Sequence, residues 1–268
     1  MEMYTNGRHK CTEKYGTGLA LKTVQGIKIA LQCCLQKAVD EGLLERNPVA
    51  KVKLPREPKK EMQTMKANEL KAFLDETKRS DCYEFCYLEL MTGLRIGEIL
   101  ALTWDDLDVE NKTIRVNKQV QRIDGELTVN TPKTASSIRT LSICEDCVNE
   151  LLKMRARQRY VTDLMFPSPV TMGYRDAKAV TRLLHRIQKR AGIPEIRFHD
   201  LRHSFATLSL EEGMDVKTVS HMLGHTDAGF TMNTYMHVTD DMQKNAADKM
   251  KNLIENSGKD TKVIQFPA

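Results

Sequence analysis

The stretch from His199 to Val238 reads HDLRHSFATLSLEEGMDVKTVSHMLGHTDAGFTMNTYMHV. Its histidines and its arginine lie in segments whose pattern predicts short helices, and a tyrosine follows them. A packed core does not require so many ionisable groups, because polar side chains are costly to bury without partners. The candidate residues of a reaction centre in this stretch are His199, Arg202, His225 and Tyr235.

Tyr235 lies in the sequence NTYMHV. A lone tyrosine is most often a half-buried packing residue, and that alternative stays open from the residue alone. A tyrosine hydroxyl can also attack phosphorus and form a covalent ester. The new bond keeps the energy of the phosphodiester that it replaces, so such a reaction needs no ATP. The sequence contains no GxxxxGK[ST] loop that would bind a nucleotide.

Two arginines could hold the phosphate during this reaction, because phosphoryl transfer requires positive charge around the phosphate oxygens. Arg202 follows His199 by three residues, and this spacing places both side chains on one face of a helix. Arg95 follows Gly93 in TGLRIGEIL, at the start of a predicted helix whose free N–H groups also favour an anion. Arg95 taken alone could be an ordinary surface residue of a helix.

Lys133 and His225 could assist the same reaction. Lys133 lies in TPKTASSIRTL, between two predicted strands at a hairpin tip, where a lysine could protonate a leaving oxygen. An exposed turn lysine is the alternative. His225 could donate a hydrogen bond to a phosphate oxygen. It also forms an H-x₃-H pair with His221, but Met222 stands where the zinc motif HExxH requires glutamate, so no metal is expected.

Length and composition limit the class of protein. The 268 residues are 41% hydrophobic, which suits one large domain or two ordinary ones with a substantial core. No apolar run is long enough to cross a bilayer, and the N-terminal residues MEMYTNGRHK lack a secretion signal. Cys144 and Cys147 form a CxxC without a second pair, so a zinc or redox role is a minor alternative. These features predict a cytoplasmic protein without a metal or cofactor.

The positive charges are clustered, although the net charge is only +5. Residues 153–190 contain ten lysines and arginines but only two acidic residues. Residues 51–60 contain five lysines and arginines and one acidic residue. Such clusters favour a nucleic-acid partner, with a solvated surface as the alternative. The candidate DNA-binding residues are Lys51, Lys53, Lys59 and Lys60.

The hydrophobic pattern predicts a mainly α fold with a small antiparallel β-sheet, an α+β class. One helix covers residues 21–40, where Cys33 and Cys34 are expected to pack as small apolar residues. A second helix begins at the N-cap Asn68. The remaining predicted elements are two helices within 81–102 broken at Thr92-Gly93, strands at 112–120, 126–130 and 137–143 with a turn at Asp124-Gly125, and helices at 145–159, 176–191, 200–212, 215–223, 229–235 and 239–256.

The order of these motifs is more specific than any one of them. TGLRIGEILALTWDDLD, then TPKTASSIRTL, then HDLRHSFAT, LGH and NTYMHV resembles the motif order of the tyrosine recombinase, or phage integrase, family. The resemblance spans residues 64–250. Within the family it is closest to integrases of conjugative transposons and phages of Gram-positive bacteria.

The resemblance implies a role for each matching residue. Tyr235 matches the nucleophile that forms a 3′-phosphotyrosyl link and frees a 5′-hydroxyl. Arg95 and Arg202 match the pair that clamps the phosphate to be cleaved, and Lys133 matches the acid that protonates the leaving oxygen.

Three more positions match supporting members of the family's site. His199 matches a residue that acts as a base or phosphate ligand, and His225 matches the last phosphate contact. Glu98, one helical turn after Arg95, matches an acid that supports the site by orienting an arginine.

The resemblance also predicts a division of the chain. Residues 1–52 would form part of a helical core-binding domain, 53–63 an interdomain linker, 64–256 the catalytic domain, and 257–268 a C-terminal tail that docks in trans. Family members usually carry four helices in the core-binding domain. About 55 residues precede the linker here, so the first half of that domain is expected to be absent and the clamp on DNA incomplete.

The expected function is site-specific cutting and rejoining of DNA, for the integration and excision of a mobile element. The implied partners are double-stranded DNA with attachment sites, further copies of the chain in a tetramer that exchanges C-terminal tails, and accessory proteins that promote excision or bend DNA. Two alternatives remain open: relaxation of DNA in the manner of a type IB topoisomerase, and a truncated fragment that binds DNA without catalysis.

Overall fold

The computed structural model describes residues 18–55, 64–80, 82–131, 137–159 and 161–225, together with residues 13, 16, 229, 231, 232 and 251. The chain divides into two compact units, Met1–Glu61 and Met62–Ala268. No helix within the described ranges is long and apolar enough to cross a membrane. Several predictions lie outside the described residues: Lys59, Lys60, Lys133, Tyr235, most of helices 229–235 and 239–256, and the tail. The four-part division of the chain stays a prediction.

The first unit is built around helix α1, Leu21–Asp40. Its predicted apolar stripe is buried at Leu21 and Val24, whereas Leu31 is 45% exposed. Cys33 and Cys34 are exposed as well, so their expected packing was wrong. The reason is that α1 is the one long helix in the described part of this unit, and a single helix cannot cover its own apolar face.

The second unit begins with α2, Ala67–Arg79, and α3, Tyr83–Thr92. The N-cap of α2 is Lys66 rather than Asn68, because the Glu69 side chain accepts the Lys66 N–H at 2.9 Å and starts the helix earlier. Gly93 ends α3 in the left-handed conformation, as the predicted break requires.

The chain after Gly93 is less helical than predicted. Helix α4 covers only Ile96–Ile99, and a 3₁₀ turn follows at Trp104–Asp106. The carboxylate of Asp106 accepts hydrogen bonds from the backbone N–H and the hydroxyl of Thr103, at 2.8 and 2.7 Å. This local cap starts a new turn and interrupts the longer helix.

Among the described residues, the β structure forms two sheets rather than one. Strands β1 (Leu107–Asp108), β2 (Thr113–Val116) and β5 (Arg139–Ser142) form an antiparallel sheet in the order β1-β2-β5. Strands β3 (Gln119–Ile123) and β4 (Glu126–Asn130) form a separate hairpin, turned by Asp124 and Gly125 with φ of 48° and 90°. The single strand predicted at 112–120 is therefore two strands.

In the described range up to residue 225, four helices follow the sheets: α5 (Glu145–Arg157), α6 (Ala177–Ala191), α7 (Phe198–Glu211) and α8 (Val216–Leu223). Asp176 and Asp215 cap α6 and α8 through their side chains, and Gly192 and Gly224 end the same two helices in the left-handed conformation. Helix α7 packs against both α3 and α8. This packing brings three of the five motif stretches, TGLR, HDLRH and LGH, to one place. The predicted mainly α class with antiparallel β structure is confirmed.

Candidate active site

Arg202 is buried where three helices meet. It is 2% exposed, and it projects from α7 toward the C-terminal ends of α3 and α8. Nη1 donates a hydrogen bond to the Gly93 carbonyl at 2.8 Å, and Nη2 donates to the Leu223 carbonyl at 2.5 Å. Carbonyls at helix C-termini carry partial negative charge, which favours a cation there. Burial, followed by the charge of Arg95, lowers the Arg202 pKa to about 9, so the guanidinium stays charged at neutral pH.

Gly93 is required at this junction for two reasons. Its φ of 62° belongs to the left-handed region. A Cβ atom at this position would also lie 2.4 Å from Cδ1 of Phe205 and 2.8 Å from Cδ2 of Leu223. The glycine in TGLR therefore lets α3, α7 and α8 approach closely enough for Arg202 to reach two carbonyls.

Arg95 lies at the N-cap of α4, and its side chain is 38% exposed. Nη1 donates to Oε1 of Glu98 at 2.9 Å, and the Arg95 backbone N–H donates to Oε2 at 3.0 Å. Its positive charge contributes to the lowered pKa values of Arg202, His199 and His225. These four predicted site residues therefore lie within electrostatic reach of one another.

Glu98 is buried and joins two arginines. Its side chain is 2% exposed, and its carboxylate forms ion pairs with both Arg95 and Arg139. The Arg139 contacts are Nη2 to Oε2 at 2.9 Å and Nη1 to Oε1 at 3.3 Å. Burial alone would raise the Glu98 pKa, but hydrogen bonds and charge from Arg139, and then from Arg95, outweigh it and lower the pKa. Glu98 is therefore ionised.

Arg139 is a residue of the site that the sequence analysis missed. It lies on β5, is 4% exposed, and donates from Nε to the Met222 carbonyl at 2.8 Å. The signal was present in the alternation of the strand, because Arg139 and Leu141 are the two inward-facing positions. A charged residue in the core-facing register of a strand indicates a buried partner, which here is Glu98.

His225 follows directly after α8. Its Nδ1 lies 2.7 Å from Oγ1 of Thr231, and burial followed by the charges of Arg202 and Arg95 lowers its pKa to about 4. The imidazole is therefore neutral at pH 7. Gly224 before it has φ of 63°, and a Cβ there would lie 2.9 Å from Nη1 of Arg139. The LGH motif thus combines a helix end, a close approach to a buried arginine, and the histidine.

His199 is exposed in the first turn of α7, and its ring stacks edge-on against His203 with centroids 4.6 Å apart. Although His199 as a whole residue is exposed, the partial burial of its side chain, followed by the charge of Arg202, lowers its pKa. Burial and the neighbouring His199 lower the pKa of His203 to about 4. His203 was not among the predicted site residues, although it lies one turn from His199 on the same helix face.

Lys133 and Tyr235 lie outside the described residues, but the strands around Lys133 correct one prediction. The flanking strands β4 and β5 pair with β3 and β2, and not with each other. The two strands that flank Lys133 in the sequence therefore do not form a hairpin with each other, and that part of the prediction was wrong. The alternation of polar and apolar residues could not distinguish these pairings.

The described residues contain no group of three or more histidine, cysteine or acidic side chains placed to hold a metal ion. Within the CxxC, Cys144 is exposed and Cys147 is buried. Burial raises the pKa of the Cys147 thiol to about 12, which is unfavourable for a reactive redox thiol.

The basic clusters are exposed where they are described. Lys51 and Lys53 are exposed in the first unit. On α6, exposed basic residues recur with helical spacing at Lys178, Arg182, Arg186 and Lys189. Both sets remain candidates for contact with DNA phosphates.

Comparison with known proteins agrees with this arrangement. Residues 63–242 match the phage integrase family. A XerC-like tyrosine recombinase from Caldanaerobacter subterraneus subsp. tengcongensis is 34% identical, over 89% of this chain and 68% of its own length. The ICEBs1 integrase of Bacillus subtilis is 32% identical, over 89% of this chain and 67% of its own.

A solved structure shows the same fold. The integrase of transposon Tn1549, in complex with a circular intermediate DNA, superposes with a TM-score of 0.74 over 89% of this chain and 82% of that chain, at 22% sequence identity. The chain belongs to the phage integrase family. Its relatives include tyrosine recombinases and the integrases of conjugative transposons in Gram-positive bacteria. The predicted family and enzyme class are confirmed.

Proposed function

We propose that the chain is a site-specific DNA recombinase that cleaves and rejoins strands through a 3′-phosphotyrosyl bond to Tyr235, for the integration and excision of a mobile element. The observation that carries the proposal is the buried Arg202, held by the Gly93 and Leu223 carbonyls within electrostatic reach of Arg95. A buried cation that is fixed before the substrate arrives can stabilise a phosphoryl transition state without reorganising. Family membership supports the same chemistry.

In this reaction Arg95 and Arg202 bind the non-bridging oxygens of the phosphate. His225 is neutral and can donate a hydrogen bond to the same group. When the Thr231 hydroxyl donates to Nδ1, the proton of the imidazole lies on Nε2, and Nε2 is then the nitrogen that donates to the phosphate in this reaction. Glu98 orients Arg95 through the contact at 2.9 Å.

The remaining roles rest on the matched motifs. Tyr235 attacks phosphorus as its hydroxyl proton passes to His199, whose pKa is lowered and which is therefore neutral and able to accept it. The 5′-oxygen leaves with a proton from Lys133. Rejoining reverses these steps when a 5′-hydroxyl from the same or another duplex attacks the phosphotyrosine. Each step transfers one phosphoryl bond, so neither a cofactor nor ATP is needed.

Double-stranded DNA is the proposed partner. The Tn1549 integrase was solved with circular intermediate DNA, and the exposed basic residues of α6 and of the segment at Lys51 and Lys53 suit a polyanion. Exchange between two duplexes requires four strand cuts, and each chain supplies one predicted nucleophile. We therefore propose a tetramer on paired sites, with residues 257–268 docking on a neighbouring chain and with accessory proteins that promote excision or bend DNA.

The test begins with DNA selected for binding to a Tyr235→Phe variant from a pool of random duplexes. A nick placed close to the cleavage position lets a short fragment diffuse away after cleavage, which traps the covalent complex. On a denaturing gel, the wild-type chain should retain labelled DNA and Tyr235→Phe should not. Absence of the complex with the wild type, although DNA is bound, would favour the alternative of a non-catalytic fragment.

The same preparation distinguishes a recombinase from a type IB topoisomerase. A recombinase should relax a supercoiled plasmid only when the plasmid carries the selected site. Equal relaxation of a plasmid that lacks the site would favour the topoisomerase.

A further inference from the structure

Arg139 joins two parts of the site that are far apart in the sequence. Its Nη1 and Nη2 donate to both carboxylate oxygens of Glu98, at 3.3 and 2.9 Å, and its Nε donates to the Met222 carbonyl at 2.8 Å. Glu98 lies 41 residues before it, and Met222 lies 83 residues after it. One buried guanidinium therefore contacts both α4 and the last turn of α8.

The first of these contacts restrains Arg95. The Arg95 side chain is 38% exposed, and its guanidinium is held through Nη1 on Oε1 of Glu98. Arg139 binds both oxygens of that carboxylate from the buried side, which fixes the plane of the carboxylate. Without Arg139, Glu98 could rotate and the partly exposed Arg95 would lose its fixed orientation.

The second contact restrains the end of α8. Met222 precedes Leu223, whose carbonyl holds Arg202, and Gly224 precedes His225. The guanidinium of Arg139 occupies the space beside Gly224, where a Cβ atom would be 2.9 Å from Nη1. Movement of Arg139 would therefore alter the turn that presents both the Leu223 carbonyl and His225.

We propose that Arg139 is a positioning residue for strand cleavage, which holds Glu98 against Arg95 and holds the end of α8 in the position that Arg202 and His225 require. This role rests on the proposed recombinase function. Arg139 has no contact with the phosphate in this account, and it acts through the groups that do. Because a displacement of about 1 Å can reduce a reaction rate on the order of 100-fold, its loss should affect the chemical step more than DNA binding.

The test compares Arg139→Lys with Arg115→Lys. The lysine variant keeps the positive charge beside Glu98 but loses the planar arrangement of donors that reaches both oxygens and the Met222 carbonyl. Arg115 is a matched control, because it lies on the neighbouring strand β2 opposite Thr140 and is exposed. Single-turnover cleavage of the nicked duplex at saturating protein separates the rate constant from the amplitude, which reports the fraction of active protein.

We expect Arg139→Lys to bind DNA and reach nearly the wild-type amplitude with a rate constant lower by roughly 10- to 100-fold. Arg115→Lys should retain the wild-type rate. A merely structural role would lower the amplitude and the melting temperature without slowing the remaining active molecules. A wild-type rate constant for Arg139→Lys would contradict the positioning role and leave the recombinase function intact, whereas no cleavage by the wild-type chain would contradict the function itself.

A second readout depends on the charge of the phosphate. In a duplex with a methylphosphonate at the cleavage position, one non-bridging oxygen is replaced by a methyl group, so less charge has to be stabilised. If Arg139 acts by orienting Arg95, the defect of Arg139→Lys relative to wild type should shrink at least several-fold on this substrate. An equal defect on both substrates would contradict action through the phosphate clamp.

A further variant keeps the test valid if Arg139→Lys does not fold. Replacing both members of a buried ion pair by apolar residues is often tolerated by the fold. The double variant with Glu98→Met and Arg139→Met should therefore remain folded and cleave slowly, again with a smaller defect on the methylphosphonate. Full cleavage activity in this folded double variant would overturn the proposal.

Discussion

A Cβ atom on Gly224 would lie 2.9 Å from Nη1 of Arg139 and 3.0 Å from its Cζ. Because Gly224 has no side chain, the guanidinium of Arg139 can occupy the space where a Cβ atom would otherwise lie. The same guanidinium binds the ionised Glu98, and Glu98 holds Arg95. Through this contact, the glycine of the LGH motif is connected to the arginine of TGLR.

This relationship predicts the effect of Gly224→Ala, with Gly192→Ala as the matched control. Both glycines have left-handed backbone, with φ of 63° and 68°, but a Cβ at Gly192 would meet nothing within 4 Å. Gly192→Ala should lose about 1–2 kcal/mol of unfolding free energy through backbone strain alone. Gly224→Ala should lose more and should also slow cleavage, because Arg139 must move. Urea unfolding and single-turnover cleavage measure the two effects, and equal losses with unchanged cleavage would contradict the contact.

Stability should fall as the pH is lowered from about 6.5 toward 4. Burial lowers the pKa values of His203 and His225 to about 4, whereas the ordinary value is 6.5. Between these values the unfolded chain binds protons that the folded chain does not, so acid favours unfolding. The fluorescence of Trp104, the one tryptophan of the chain, can follow urea unfolding of the second unit at pH 7.5 and pH 5.

We expect His203→Gln to lose less stability between these two pH values than the wild type loses. The control is His221→Gln, which makes the same replacement at an exposed position on α8. A His203→Gln variant with the full wild-type dependence would mean that protonation of His203 is not linked to unfolding.

DNA cleavage should persist in EDTA. The proposed phosphate ligands are the side chains of Arg95, Arg202 and His225, and hard divalent cations prefer clusters of oxygen ligands. The described residues contain no such cluster. Covalent complex formation is measured in EDTA and then with added Mg²⁺ or Zn²⁺. Loss on chelation with recovery on adding metal would contradict a clamp made of side chains.

DNA binding should weaken steeply with salt, because bound lysines and arginines release counterions from the phosphates. Replacing Lys59 and Lys60 together with alanine should reduce the slope of log K against log salt by roughly one to two units. Lys112→Ala is the control, because Lys112 is paired with Glu145 at 2.8 Å. An unchanged slope in the double variant would place the segment around Lys59 away from the DNA.

Much of the fold follows from local signals in the sequence. Asp176 and Asp215 cap their helices, and Gly93, Gly192 and Gly224 end theirs, because each effect depends on residues within one turn. The order of motifs also predicted that Arg95, Arg202, His199 and His225 would lie together. In the structure, the charges of Arg95 and Arg202 both contribute to the lowered pKa values of His199 and His225, and the roles of these residues stay a prediction.

The features that were missed depend on contacts between distant segments. The strand predicted at 112–120 is divided because Lys118 binds Asp106 at 2.7 Å, yet the buried positions Ile114, Val116 and Val120 keep the same alternation across the break. Arg139 was missed for a similar reason, since its partners are 41 and 83 residues away. Cys33 and Cys34 were expected to be covered, but periodicity shows which face of a helix is apolar and not what packs against it.

The most direct test of the central claim identifies the amino acid that is joined to DNA. The covalent complex formed with the nicked duplex is digested with nuclease and trypsin, and the peptide carrying the nucleotide is sequenced by mass spectrometry. The account predicts a 3′-phosphonucleotide on Tyr235, within the tryptic peptide 218–244, in which it is the one tyrosine. A nucleotide on Tyr160, Tyr174 or any other residue would contradict it.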